Sequence, residues 1–341
     1  MRKSFKGLFF ILVVLSLLLS ACGSAAEPTE EPMAEPTEAP VEEPTEAPME
    51  EPTEAPMEEP AGLTCADTIK VGFITDLTGA LAIYGAHMIP SFNLGMEYAT
   101  GAPGTAGDVF DATAATENTF TLEGCEFQVF FRDDASTPDN TATVARELID
   151  VEGVDILVGT VSSGATATLQ GIAAENQIPL IVAPAAANDI TGVNFNEYTF
   201  RTSRNNYQDA INECTYLTQQ YDTFVQIAPD YAFGQGSAAA FRDACTLDGG
   251  TFVADDIFAP LDTTDFTSYM EQILDSGAEA YIVSWAGNGF VPLMQAATDL
   301  GVTEEMSLGA TFIDNVLMPL WYGNAIGSTA GILYHWSDPR V

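Results

Sequence analysis

The 341-residue sequence has two histidines, His87 and His335, and beyond residue 60 a single lysine, Lys70. That scarcity removes several chemistries. A serine hydrolase needs a G-x-S-x-G turn and a histidine base; here the spacing is Gly159-x-x-Ser162-Ser163-Gly164, and neither histidine has an evident acidic orienter. A phosphate-binding Walker loop needs a lysine behind its glycines, and none lies near a candidate. Dinucleotide binding needs G-x-G-x-x-G after the first strand, where only Gly72 and Gly79 occur. Without a close cysteine pair, zinc is disfavoured. With a formal net charge of -39, the chain has no basic surface for counterion release onto a polyanion, so nucleic acid is excluded as a partner. The expectation is a protein that is not an enzyme and carries no metal or cofactor.

The N-terminus sets the compartment. Arg2, Lys3 and Lys6 precede the apolar run Leu8 to Leu19, which is short of the roughly 20 residues that span a bilayer. Leu19-Ser20-Ala21-Cys22 follows at once and resembles a bacterial lipobox, which implies a signal peptide over 1–21 and lipidation of Cys22. Residues 22–60 then form an acidic linker in which proline recurs every fourth position from Pro28 to Pro60 and the octad EPTEAPVE is repeated as EPTEAPME. Proline stiffness and like-charge repulsion favour an extended stalk of about 3.1 Å per residue, long enough to hold a folded domain away from an anchor on the outer face of the cell membrane.

With Cys22 assigned to the anchor, four cysteines remain, an even number in an exported chain. Cys65 precedes the apolar run IKVGFIT and Cys125 precedes FQVFF; if these runs are neighbouring parallel strands, both thiols enter one edge of the sheet. Cys214 and Cys245 fall on two successive helical stretches. The expected bridges are Cys65 to Cys125 and Cys214 to Cys245.

From residue 68, short β-branched or aromatic runs alternate with amphipathic stretches. Strands are expected over 69–75, 126–131, 154–159, 179–183, 223–228, 250–258 and 279–285. Thr137-Pro138 reads as N-cap and first helical residue, and Thr264 as the cap of a helix carrying Phe266, Tyr269, Met270, Ile273 and Leu274. Such alternation implies an α/β fold with mostly parallel sheets covered on both faces. Ligands bind beyond the carboxyl ends of such strands. There the sequence places Thr75 to Gly79, Thr160 to Gly164 and Ala183 to Asn188, short polar turns read as recognition surfaces without a strong acid or base. Asp133 and Asp134 follow the second strand, as a solvated loop or a carboxylate pair.

The phrases IKVGFITDLTGALAIYG, LVGTVSSGATATLQGIAAENQIPLIVAPAAA, YTFRTS, APDYAFGQGSAAAF and TTDFTSYMEQILDSGAEAYIV, in this order, resemble the type I periplasmic solute-binding proteins of branched-chain amino-acid (Leu/Ile/Val) ABC transporters. The resemblance implies two Rossmann-like lobes, here 61–200 and 201–330, closing on a small solute, with 331–341 returning to the first lobe. It also implies a monomer that serves permease and ATPase subunits; an extracellular sensor is the alternative. Further helices follow in the family, so the end at Val341 suggests either truncation or a first lobe lacking part of its cover.

Carried over, the resemblance makes Ser163 the donor to a solute carboxylate and Ser162 its turn neighbour, although Ser163 also reads as a helix cap. Tyr84 matches an aromatic at the pocket mouth or is an ordinary core residue, and Ala185 offers its carbonyl to an amino group. Asn206, Phe233 and Trp285 are assigned to the second lobe's side of the cleft, Trp285 equally readable as core. The pattern is broken at Ala187, which lacks a hydroxyl that Asn188 would have to replace. It is broken again at Phe233, where tyrosine is common, and at Thr311, where a glutamate pairs with the α-ammonium. Asp314 is the substitute acceptor. These departures point to an aliphatic or aromatic carboxylate, or an amide, beside branched-chain amino acids.

Overall fold

The computed structural model describes residues 65–101, 117–310 and 328–330. Cys22, the linker, Thr311, Asp314 and residues 331–341 lie outside them.

The first sheet has the strand order β2-β3-β1-β4-β5-β6, formed by Glu117–Leu122 (β2), Cys125–Asp133 (β3), Ile69–Thr75 (β1), Ile156–Val158 (β4), Leu180–Val182 (β5) and Thr199–Arg201 (β6). Only the β2–β3 pair is antiparallel. β1 is central, and its run of β-branched and aromatic residues is buried on both faces, as a parallel strand requires. One face packs Phe73 and Phe131 against Phe92 of helix α1 (Ala82–Thr100). The other packs Ile74, Leu157 and Leu180 against Ala145 of helix α2 (Pro138–Glu147) and Leu169 and Ile172 of helix α3 (Ser163–Asn176). Thr137 caps α2, accepting from the Asn140 N–H, with Pro138 in the first turn, as the sequence predicts.

The first sheet runs one residue past the expected boundary at 200, because Arg201 pairs with Val182. Helix α4 (Asn206–Leu217), opened by an Asn205–Gln208 capping box, then enters the second lobe. That sheet has the order β12-β11-β10-β7-β8: Thr329–Ala330 (β12), Ser307–Ala310 (β11), Ala280–Val283 (β10), Thr223–Pro229 (β7) and Thr251–Phe252 (β8), with Ile257–Ala259 (β9) also pairing with β7. The expected single strand over 250–258 is therefore two pieces on one edge. Between them Asp256 leaves the sheet to pair with Arg242 of helix α5 (Ala232–Leu247). The expected cap at Thr264 also fails. Helix α6 spans Thr267–Asp275, and Asp265 accepts the Thr267 N–H instead.

Both bridges form as expected, Cys65–Cys125 at the head of the paired β1 and β3, and Cys214–Cys245 between α4 and α5. Among the described residues no helix is long and apolar enough to cross a membrane.

Candidate functional site

In the first sheet β1 stands between β3 and β4, and in the second β7 stands between β8 and β10, so each sheet has a switch point where connections diverge and leave a crevice at the strand ends. The first crevice is built by the turn between β4 and α3. Gly159 permits that turn: a Cβ there would lie 2.2 Å from the Ile74 carbonyl oxygen, at a φ of +141°. The helix cap is Ser162, whose Oγ accepts from the Ala165 N–H at 3.4 Å. Ser163 is the first helical residue, 1 % exposed. Its Oγ accepts the Ala187 N–H at 3.2 Å, which ties the β4 turn to the loop after β5. The capping role that the sequence left open for Ser163 thus belongs to Ser162.

In that second loop, flanking carbonyls are taken in turn. Arg204 donates to Pro184 at 3.3 Å, the Asn206 N–H to Ala186 at 2.8 Å, and Arg201 to Ala187 at 2.7 Å. Burial and the neighbouring Arg204 charge lower the Arg201 pKa. Asn188 accepts from the Tyr207 N–H at 3.0 Å, so it is fixed to α4 and does not replace the hydroxyl missing at Ala187.

The second lobe meets the first through the Asn206 N–H on Ala186 and through the turn at Gly287 and Asn288. Asn206 Nδ2 donates to the Phe233 carbonyl at 2.9 Å, and Phe233 lies 8 % exposed with its ring 6.0 Å from that of Tyr231. The Gly287 N–H donates to the Tyr84 hydroxyl at 3.4 Å, and the Asn288 N–H to the Ala80 carbonyl at 3.2 Å. Tyr84 and Ile83, although they belong to the first lobe, pack on the apolar cluster around Tyr281 and Leu293. Trp285 is 3 % exposed and stands edge-on to Phe266 at 4.9 Å, inside that cluster. It is core rather than an open wall.

The structure thus brings Ser162, Ser163, Ala185 and Ala187 together at the ends of β4 and β5, sets Tyr84 against Gly287, and joins Asn206 to Phe233. The sequence reading missed the Gly287-Asn288-Gly289 turn; its two glycines before an apolar helical run were the available signal. It also misjudged the acids. Asp76 and Asp134 are both 0 % exposed at the ends of β1 and β3, which overturns the expectation of strand-end turns without an acid and of a solvated loop at Asp134. Asp133 does serve that loop, accepting the Leu77, Thr78 and Ala135 N–H groups, and these bonds together with the Thr78 hydroxyl hold its carboxyl below the usual range against the opposing effect of burial.

Comparison with known proteins agrees with this arrangement. Residues 68–340 match the periplasmic binding protein family, and residues 24–58 match the PT disordered repeat. The chain is 28% identical over 247 residues to the Leu/Ile/Val-binding protein homolog 6 of Brucella melitensis biotype 1, covering 71% of this chain and 57% of that protein. It spans about half the length of the curated relatives it matches. Among solved structures, an ABC-type branched-chain amino acid transporter protein from Rhodopseudomonas palustris CGA009 is 32% identical with a TM-score of 0.58, covering 80% of this chain and 69% of that one. An ABC-transporter solute-binding protein from R. palustris in complex with 4-hydroxybenzoate is 25% identical with a TM-score of 0.61, covering 72% and 61%. With residues 68–340 matched to it, the chain belongs to the periplasmic binding protein family.

Proposed function

We propose that the chain is an extracytoplasmic substrate-binding lipoprotein of an ABC importer, held to the membrane through Cys22, that captures a small carboxylate-bearing or amide solute between its lobes and presents it to a permease. One observation carries the reading. Ser163 accepts the Ala187 N–H and thereby has its oxygen fixed at the opening turn of a 14-residue helix, while its own O–H remains to donate. A hydroxyl donor at a helix N-terminus favours an anionic oxygen. The taken carbonyls at Pro184, Ala186 and Ala187 leave that of Ala185 as the loop's acceptor for an N–H of the solute.

The role read here is capture and release, with closure stabilised by whatever the solute touches on both sides. One solved relative is described as a branched-chain amino acid transporter protein and the other is in complex with 4-hydroxybenzoate; both kinds of solute carry a carboxylate, and only the amino acids carry an ammonium. The experiment is a thermal-shift panel of branched-chain amino acids, benzoates, short aliphatic acids and amides against the chain. Solute at 100 times its dissociation constant adds about 2.7 kcal/mol of stability. A shift with carboxylates that disappears in Ser163→Ala supports the reading, and a shift that survives Ser163→Ala overturns the assignment of the site.

A further inference from the structure

The Asp76 and Asp134 carboxyls meet in the interior where the β1 and β3 ends adjoin the cleft. They are unequally served. Asp134 accepts the Ser136 N–H at 3.1 Å and the Thr160 hydroxyl at 2.7 Å, and it stands 3.0 Å from the Thr141 hydroxyl, whose proton goes to the nearer Thr137 carbonyl at 2.8 Å. Asp76 Oδ1 is 3.3 Å from the same Thr160 hydroxyl, whose single proton goes to the nearer Asp134. Asp76 Oδ2 is buried with no hydrogen-bond partner. Around Asp76 stand Asp134 and Ser136 from the loop after β3, Thr160 from the turn after β4 and, within electrostatic reach, Tyr231 of the second lobe; none of the groups acting on it is a cation.

Two adjacent buried carboxylates cannot both ionise cheaply. A proton on the Asp76 carboxyl removes the second charge and gives the pair a donor between its two groups. Burial first, then the hydrogen bond and charge of Asp134, push the Asp76 pKa up to about 9, against smaller opposing effects of Ser136 and Thr160.

The segment Asp76 opens carries the first lobe's side of the cleft. Gly85 of α1 rests on the Asp76 carbonyl so closely that a Cβ would be 1.6 Å from its oxygen. Leu81 donates to Ser136 at 3.2 Å. Ala80 and Tyr84, the two acceptors from Asn288 and Gly287, lie on this same stretch.

We propose that Asp76 and Asp134 share one proton, and that Asp76 is thereby a positioning residue that holds Ala80 and Tyr84 where the Gly287–Asn288 turn meets them. The second half of this inference rests on the solute-binding reading; the first does not.

The sign follows from linkage. The folded chain keeps a proton that an ordinary Asp, with its pKa near 3.8, has lost. Between that value and about 9 the folded state therefore binds more protons than the unfolded state, and stability falls as pH rises, by at most about tenfold in the folding equilibrium per pH unit. Above the folded pKa this contribution levels off. In Asp76→Asn the side-chain amide N–H can donate to Asp134 with no group that titrates.

The test uses the full-length chain, wild type and Asp76→Asn, without solute. Infrared difference spectra at neutral pH are expected to show a protonated carboxyl band that disappears in Asp76→Asn. The thermal midpoint of Asp76→Asn is expected to exceed wild type above pH 7 and to lose the steeper decline. Absence of the band in wild type at neutral pH overturns the shared proton, even if Asp76→Asn does not fold. Hydrogen exchange at the Gly287 and Asn288 amides checks the positioning half. Protection, corrected for intrinsic exchange, should drop about tenfold in wild type between pH 8 and pH 10 and stay level in Asp76→Asn. Equal protection in both, with the band present, leaves the proton and overturns the positioning role. These readouts need no ligand, so a failed solute panel does not imitate either failure.

Discussion

Two adjacent serines at the head of one helix do different work, and the difference is measurable. Ser162 caps α3, so Ser162→Ala should cost about 1 kcal/mol of stability and leave solute binding within a few fold. Ser163→Ala strands the buried Ala187 N–H, for a cost of about 1–3 kcal/mol, and also removes the hydroxyl assigned to the solute. Chemical denaturation and calorimetric titration of the two variants separate them; equal losses of affinity would refute the assignment. The sequence made both serines visible because a short apolar run ending in glycine and then Ser-Ser is a readable strand-turn-helix signal. Which serine caps was not readable, since it depends on where Ala187 stands, 24 residues further on. Asp76 was hidden for a similar reason. In sequence it sits in the polar string Thr75 to Gly79, and its burial comes from Asp134 and Thr160, 58 and 84 positions away.

At the scale of elements, the signals that survived were local or two-sided. β1 was legible because both of its faces are buried, and the α2 cap because Thr137 and Pro138 act within one turn. Where partners far along the chain decide, the pattern misled. The β-branched stretch 250–258 breaks because Asp256 turns to Arg242, and β2 escaped notice because its burial is confined to Phe120. The bridges were inferred by placing two thiols at one edge of neighbouring strands and two on successive helices, and they tie those elements directly. Cys214–Cys245 joins α4 to α5 across 31 residues. Replacing both by alanine should lower stability by about 2–4 kcal/mol through the freer unfolded chain, read as a lower denaturation midpoint. Because Cys214 and Cys245 are 0 % exposed beneath those helices, solute affinity should change little; a large loss would show that α4 also sets the cleft through Asn206.

At the scale of the whole molecule, the two lobes touch through a turn whose glycine serves both its own backbone and the contact between them. Gly287 has a φ of +89°, and a Cβ on it would lie 2.5 Å from the Ala80 carbonyl oxygen and 3.0 Å from Leu81 Cδ2, both in the first lobe. The strain at positive φ, about 1–2 kcal/mol, is borne with the lobes open or closed. The clash with Ala80 exists only on closure. Gly287→Ala should therefore shift the midpoint of the unliganded chain by a few degrees, yet weaken solute binding by tenfold or more, since about 1.4 kcal/mol against the closed state already accounts for tenfold. Gly85→Ala is the contrasting case, because its Cβ would meet the Asp76 carbonyl inside one lobe and must disturb that lobe whether or not solute is present. Small-angle scattering of Gly287→Ala with and without saturating solute gives the second reading, with compaction on binding reduced relative to wild type. Unchanged affinity and full compaction would mean that the Tyr84–Gly287 contact is not part of the solute-bound state, and that the lobes close on a different seam.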